Sequence, residues 1–242
     1  HKIYEKHFKI QGCVQTELAS AKPDAPTVGI KRSMATVGEK GIWSAALFRK
    51  LGFYPVVSPR SNSEIAKIGV DHSRTEFCIA RKLATGHASV LNDDPAIEYL
   101  FNPSFIEQRK PEPPDLKYCI HTESEGYVLN DVLALDKKKQ INPALHFGDL
   151  PLLVSEIVKE FDRVGFHFTD KQIKEAIHYA EMAERQFKAD LHAVGDKFLQ
   201  RIEREDIKAY VGIGRDYVLL DPEASSNSGD MFSQVRGLDY IP

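Results

Sequence analysis

The sequence is poor in cysteine: Cys13, Cys78 and Cys119 are the only three thiols in 242 residues. A sparse, odd set excludes a disulfide scaffold and points to a reducing, cytoplasmic setting, with thiols free or bound to metal. Charge of one sign is also lacking, since 32 Lys and Arg against 35 Asp and Glu leave a net charge of −3. That balance excludes a strongly basic nucleic-acid binder and a polybasic membrane-surface protein. No apolar run approaches the roughly 18 residues that a membrane span needs. No basic segment followed by an apolar one stands at the start, so no signal peptide is visible. HExxH, GxSxG and GxxxxGK followed by Ser or Thr are all missing, which removes the usual signatures of zinc proteases, serine hydrolases and ATP hydrolysis. There is no internal repeat and no low-complexity tract.

What remains is an ordinary globular composition, 42% hydrophobic and 28% charged. Residues 1–26 read as an N-terminal extension and linker, with a Pro/Ala-rich stretch at 19–26. Thr27-Val28-Gly29-Ile30 is an apolar strand, and Ile42, Ala45, Ala46, Phe48 and Leu51 follow at helical spacing. Gly52 closes that helix, and Phe53 to Ser58 make a second strand with Pro55 early or at an edge. Such a strand–helix–strand unit gives a parallel sheet. Further on, Ser61 to Glu64 offer a helix start, 79–91 a helix, Ala96 to Phe101 a strand, 102–116 a Pro-rich loop, Leu116 to Ile120 a short strand and 125–135 a helix. Two helices follow, at 151–164 and from the cap Thr169 to Glu203. Ile173, Ala176, Ala180, Ala183, Phe187, Leu191, Val194, Phe198 and Ile202 put one apolar stripe on the second of these, a core face or the seam of an antiparallel helix pair. A strand at 207–213 and a terminal helix marked by Met231, Val235 and Leu238 complete the pattern. The fold class is α/β, with Rossmann-like or flavodoxin-like parallel-sheet lobes joined by a long helical segment. The expected divisions are a first lobe at 27–150, a helical segment at 151–206 and the start of a second lobe at 207–242. A strand–helix unit that stops at Pro242 reads as a piece of a longer polypeptide.

Cys78 stands at the expected start of a helix, where backbone N–H groups and the helix dipole favour a thiolate. Cys119 stands before Gly126 at an expected strand end, and both fall where a parallel sheet places its sites. They are 41 residues apart, which is no local metal spacing; two semi-buried thiols and a shared metal site both remain open. His121 makes a Cys-x-His pair with Cys119, His87 follows Gly86 within a helix, and His72 lies in a loop. Gly212-Ile213-Gly214-Arg215 after a strand can hold a phosphate or carboxylate, or form only a tight turn; Tyr217 replaces the third glycine of a dinucleotide fingerprint. Arg32, in Lys31-Arg32-Ser33 after the first strand, carries the same alternatives. Cys13 lies outside the sheet pattern.

Four blocks, in this order, carry a resemblance. They are Val28-Gly29-Ile30-Lys31-Arg32 with Trp43, Leu51-Gly52-Phe53 and Val56-Val57-Ser58; Glu76-Phe77-Cys78-Ile79-Ala80-Arg81-Lys82 with Gly86-His87; Ile141-Asn142-Pro143; and Val211-Gly212-Ile213-Gly214-Arg215-Asp216-Tyr217. Over most of 27–242 the chain resembles the large CoA-substrate-specific enzyme activases of the 2-hydroxyacyl-CoA dehydratase system, in the part related to the dehydratase subunits. The resemblance implies Rossmann-like lobes, a [4Fe–4S] cluster on cysteine thiolates, and electron transfer in an anaerobic system whose ATP-hydrolysing activator has its own fold. Cys78 and Cys119 fall on the family's cysteines, with His87 and His121 as neighbours. Asn102-Pro103 stands where the family commonly has Cys-Pro, and Lys31 and Asp216 stand where it prefers proline. A cluster on two matched cysteines needs Cys13, His121, a carboxylate or a partner chain. The implied partner is a dehydratase or reductase subunit, or other domains of the same longer chain. The alternative is a cluster-free docking lobe, or one that binds an anion or acyl-CoA with the Gly212–Arg215 loop.

Overall fold

The computed structural model describes residues 2–10, 14–15, 24–73, 76–107, 117–206, 208–228, 231 and 240–241. Helix α1 (Lys2–Ile10) and strand β1 (Val14–Gln15) lie inside the stretch expected as extension and linker. The expected unit then follows as β2 (Thr27–Ile30), α2 (Glu39–Lys50) and β3 (Tyr54–Val57). Gly52, at φ 87°, takes the left-handed turn that releases the chain from α2 into β3. Next come α3 (Ser63–His72), capped by the Asn62 side chain, α4 (Ile79–Asp93) and β4 (Tyr99–Phe101).

Strands β2, β3 and β4 join β1 and β6 (Gln140–Ile141) in one sheet of order β1-β3-β2-β4-β6, parallel throughout. Register pairs Ile30 with Val57 on one side and with Phe101 on the other. Side chains alternate between the two faces. Val28, Ile30, Val57, Phe101 and Ile141 pack into a core shared with α2, α7 (Leu150–Arg163) and α8 (Asp170–Glu205), whereas Val56 and Leu100 pack with Ala88 and Leu91 of α4 and with Leu129 of α6 (Glu125–Val132). Both faces of the sheet are therefore covered by helices, as an all-parallel sheet requires.

Two further two-stranded parallel pairs are separate from this sheet: β5 (Ser104–Glu107) with β7 (Ala144–His146), and β8 (Tyr210–Val211) with β9 (Tyr240–Ile241). The strand expected at Leu116 to Ile120 is a correction. Lys117 makes one isolated bridge to Glu107, and from Ile120 the chain is helical, as α5 (Ile120–Glu123). Cys119 therefore caps a helix instead of ending a strand, because its backbone carbonyl accepts from Thr122 and Glu123. In α8, Thr169 and Gln172 form a reciprocal capping box, and burial runs from Ile173 only to Phe187. Beyond Phe187 the apolar stripe is only partly covered: Leu191 is exposed, and Val194, Phe198 and Ile202 are half-buried. Most of the expected terminal helix after Met231 lies outside the described residues.

Candidate functional site

The chain passes from β2 to β3 on one side of the sheet and then to β4 on the other. That reversal leaves a crevice at the carboxyl ends of β2 and β4, the place where open α/β sheets bind ligands. Lys31 leaves β2 there, fully buried, with its Nζ 3.0 Å from Glu125 Oε1. Arg81 of α4 faces the same carboxylate, Nη1 at 3.8 Å from Oε2, and its Nη2 donates to the Glu125 carbonyl at 3.3 Å. The carboxylate contacts are at ion-pair distance but are not aligned as hydrogen bonds. Two cations thus share one carboxylate out of water. Burial pulls the Lys31 ammonium below the usual lysine range despite Glu125, and lowers Arg81 in the same way.

Both expected cysteines sit at this edge. Cys78 caps α4 and is exposed; Cys119 caps α5 and is half-buried; both are free thiols. Phe77, next to Cys78, packs edge-on against the His121 ring at 5.6 Å between centroids, and the Arg81 guanidinium lies 5.7 Å from the Phe77 centroid. The two cysteine segments are therefore tied together through Phe77 and His121.

Cys119 also lines an open cleft of about 520 Å³, with Met34, Glu39, Lys117, Tyr118 and Arg215 among the other walls. Its Lys40 and Glu39 are paired away. Lys40 holds Glu184 at 2.8 Å, and Lys188 bridges Glu39 at 2.7 Å and Glu184 at 3.3 Å. Lys117 makes no ion pair with a described residue, and Arg215 has the Tyr217 hydroxyl at 3.2 Å. Burial, reinforced by Glu39 and Glu184, holds the Tyr118 phenol well above its usual range, so it is a neutral donor.

The expected anion residues do not share one cavity. Arg215 lines the cleft, whereas Arg32 is buried, donates from Nε to the Ser58 carbonyl at 3.0 Å and lies over the Phe8 ring. Gly212 and Gly214 stand on the loop before α9 (Asp216–Leu220). His87 lies nine residues along α4 from Cys78, about 13 Å at the helical rise. It faces Ser61, with Nε2 at 2.8 Å from Oγ, and Ser61 in turn donates to Asp221. Burial and nearby Arg32 push the His87 pKa down to about 3, so the ring is neutral.

A four-iron cluster takes three or four thiolates, or two with help from elsewhere. The described residues offer Cys78 and Cys119, and no group of three or more His, Cys, Asp or Glu among them is placed to hold a metal ion. Cys13 lies outside the described residues. Asn102 is buried, its amide donating to the Gly126 carbonyl at 3.1 Å. The described residues thus supply two cysteines, and a four-iron cluster needs further ligands from outside the described residues. Glu125 and Asp221 were not singled out by sequence as site residues, and Ser61 was read only as part of a helix start. A lysine directly after a buried strand was the available signal for a buried counter-charge, while Ser61 and Asp221 lie 160 residues apart.

Comparison with known proteins gives one family. A family model described as CoA enzyme activase uncharacterised domain matches residues 27–241. No curated protein and no solved structure matches the chain. Among the described residues no helix is long and apolar enough to cross a membrane.

Proposed function

The chain belongs to the CoA enzyme activase uncharacterised-domain family, and from that premise we propose that it serves a CoA-dependent enzyme as an iron–sulfur electron-transfer lobe. Cys78 and Cys119 offer two thiolates at the carboxyl edge of the sheet. The partner, a 2-hydroxyacyl-CoA dehydratase-like or reductase subunit or a further domain of the same polypeptide, supplies the remaining ligands of a [4Fe–4S] cluster. When bound, such a cluster supplies one-electron chemistry at low potential. The observation that carries the reading is the pair of helix-capping cysteines held at one edge by the Phe77–His121 contact. Each cysteine stands directly before a helix. Arg81 adds positive charge behind Cys78, and Phe77 and His121 fix the spacing of the two segments.

Anaerobic reconstitution with iron and sulfide, in the presence of the subunit or further domain that completes the ligand set, tests this. The wild type is expected to gain the broad visible absorption of thiolate-bound iron, and Cys78→Ala and Cys119→Ala are each expected to lose it. Failure of the wild type to take up iron, or equal uptake by the variants, contradicts the proposal. A second reading rests on the 520 Å³ cleft: a cluster-free lobe binding an anionic small molecule such as an acyl-CoA, with Arg215 and Lys117 facing the anion. That reading predicts ligand binding that is lost in Arg215→Ala and indifferent to iron.

A further inference from the structure

Residues 215–228 cross the carboxyl edge as one segment that walls several spaces. Arg215, Asp216 and Tyr217 form one side of the cleft that holds Cys119. Asp216, Leu219 and Leu220 form one side of a second groove, about 270 Å³, whose other side is Phe187, Leu191, Val194 and Phe198 of α8. Tyr217 and Asp221 close over Arg32, Val37 and Leu83 so tightly that only about 10 Å³ remains.

The segment is fastened by Asp221, which is 5% exposed. Its Oδ1 accepts from the backbone N–H groups of Glu223 at 3.0 Å and Ala224 at 2.9 Å, which organises the segment's own turn. Its Oδ2 accepts the hydroxyl of Ser61, which is also buried, on the connection between β3 and α3. Having given its one hydrogen to Asp221, Ser61 Oγ accepts from Nε2–H of His87 at 2.8 Å. At the near end, Asp216 Oδ2 comes so close to Gly38 that a Cβ there would lie 2.8 Å away. The docked arrangement has a built-in weakness: His87 Nδ1 is buried with no hydrogen-bond partner.

We infer that residues 215–228 form a releasable strap. Asp221, docked on Ser61 and His87, holds the cleft wall in place beside Cys119, and undocking opens the cleft and bares the apolar groove on α8. One carboxylate thus couples access to a thiol with exposure of an apolar surface. A partner that prefers the undocked state shifts the equilibrium by its differential affinity alone. The inference is independent of what the cysteines hold.

The test compares alkylation of Cys119 and Cys78 by N-ethylmaleimide in the chelator-treated full chain, with hydrogen exchange of the 215–228 peptides alongside. Asp221→Ala and Ser61→Ala are expected to raise the Cys119 rate at least fivefold and to speed exchange of the strap. Cys78, which does not line the cleft, keeps its wild-type rate. Should Asp221→Ala fail to fold, as judged by circular dichroism, Ser61→Ala carries the comparison. Faster exchange with an unchanged Cys119 rate shows that the segment gates nothing. Unchanged exchange shows that Asp221 is no latch, and equal acceleration of both cysteines shows general loosening; each of these overturns the inference.

Discussion

Glu125 lies between Lys31 and Arg81 with all three side chains about 1% exposed. Removing the single carboxylate leaves two buried cations facing each other, whereas removing Lys31 leaves an Arg–Glu pair. Glu125→Gln is therefore expected to cost about 3–5 kcal/mol, and Lys31→Met, of similar volume, under about 1.5 kcal/mol. Urea titration checks the order, and equal losses would refute it. His87 makes a second prediction. The unfolded chain binds a proton there near pH 6.5, and the folded chain only near pH 3. Between those values the unfolded state holds more protons, so stability falls as pH drops through this window. At pH 5 the burden is about 2 kcal/mol. His87→Gln is expected to flatten the melting-temperature profile between pH 7 and pH 5; an unchanged slope would count against a buried neutral ring.

At the scale of elements, α3 and α4 cross backbone to backbone. A Cβ on Gly86 would lie 2.1 Å from the Ile65 carbonyl oxygen, and one on Gly69 would lie 1.9 Å from that of Lys82. Gly195 of α8 has nothing within 4 Å. Gly86→Ala and Gly69→Ala must push the helices apart, at a cost of about 3 kcal/mol or more. Gly195→Ala should stabilise α8 by up to about 1 kcal/mol. Thermal melts giving the same sign for both sites would contradict this packing. The elements that the sequence made legible are those with a strong period. Ile173 to Phe187 at steps of three and four mark α8, and Val28 with Ile30, followed by Gly52 and then Val56 with Val57, mark the first crossover. Strands β1, β6 and β7 were not legible, because two or three residues carry no period. In β6 the buried Gln140 reads as a surface residue until Asn102, 38 residues earlier, is placed at 3.4 Å from it. The cysteines were legible as helix starts or strand ends near one sheet edge, since that follows from βα order. The Asp221–Ser61 contact was not, since nothing local in either segment requires it.

For the whole molecule, the parallel sheet gathers helix starts, loop ends and the Arg215–Ser228 segment along a single edge. Cys78, Cys119, the cleft and the buried Lys31–Glu125–Arg81 group all lie there. The C-terminal half of α8 carries apolar residues that the rest of the described chain leaves exposed, such as Leu199. The edge offers two cysteines, so the proposed electron-transfer role depends on assembly: this chain holds only part of the donor set. The direct measurement is iron and acid-labile sulfide per chain, with molecular mass by light scattering, on protein isolated without oxygen. The account predicts about four irons and four sulfides per cluster, found only where this chain is assembled with the subunit or further domain that supplies the other ligands, and absent from the chain alone as a monomer. Four irons on a monomer, or iron-free assemblies even after reconstitution, would contradict it.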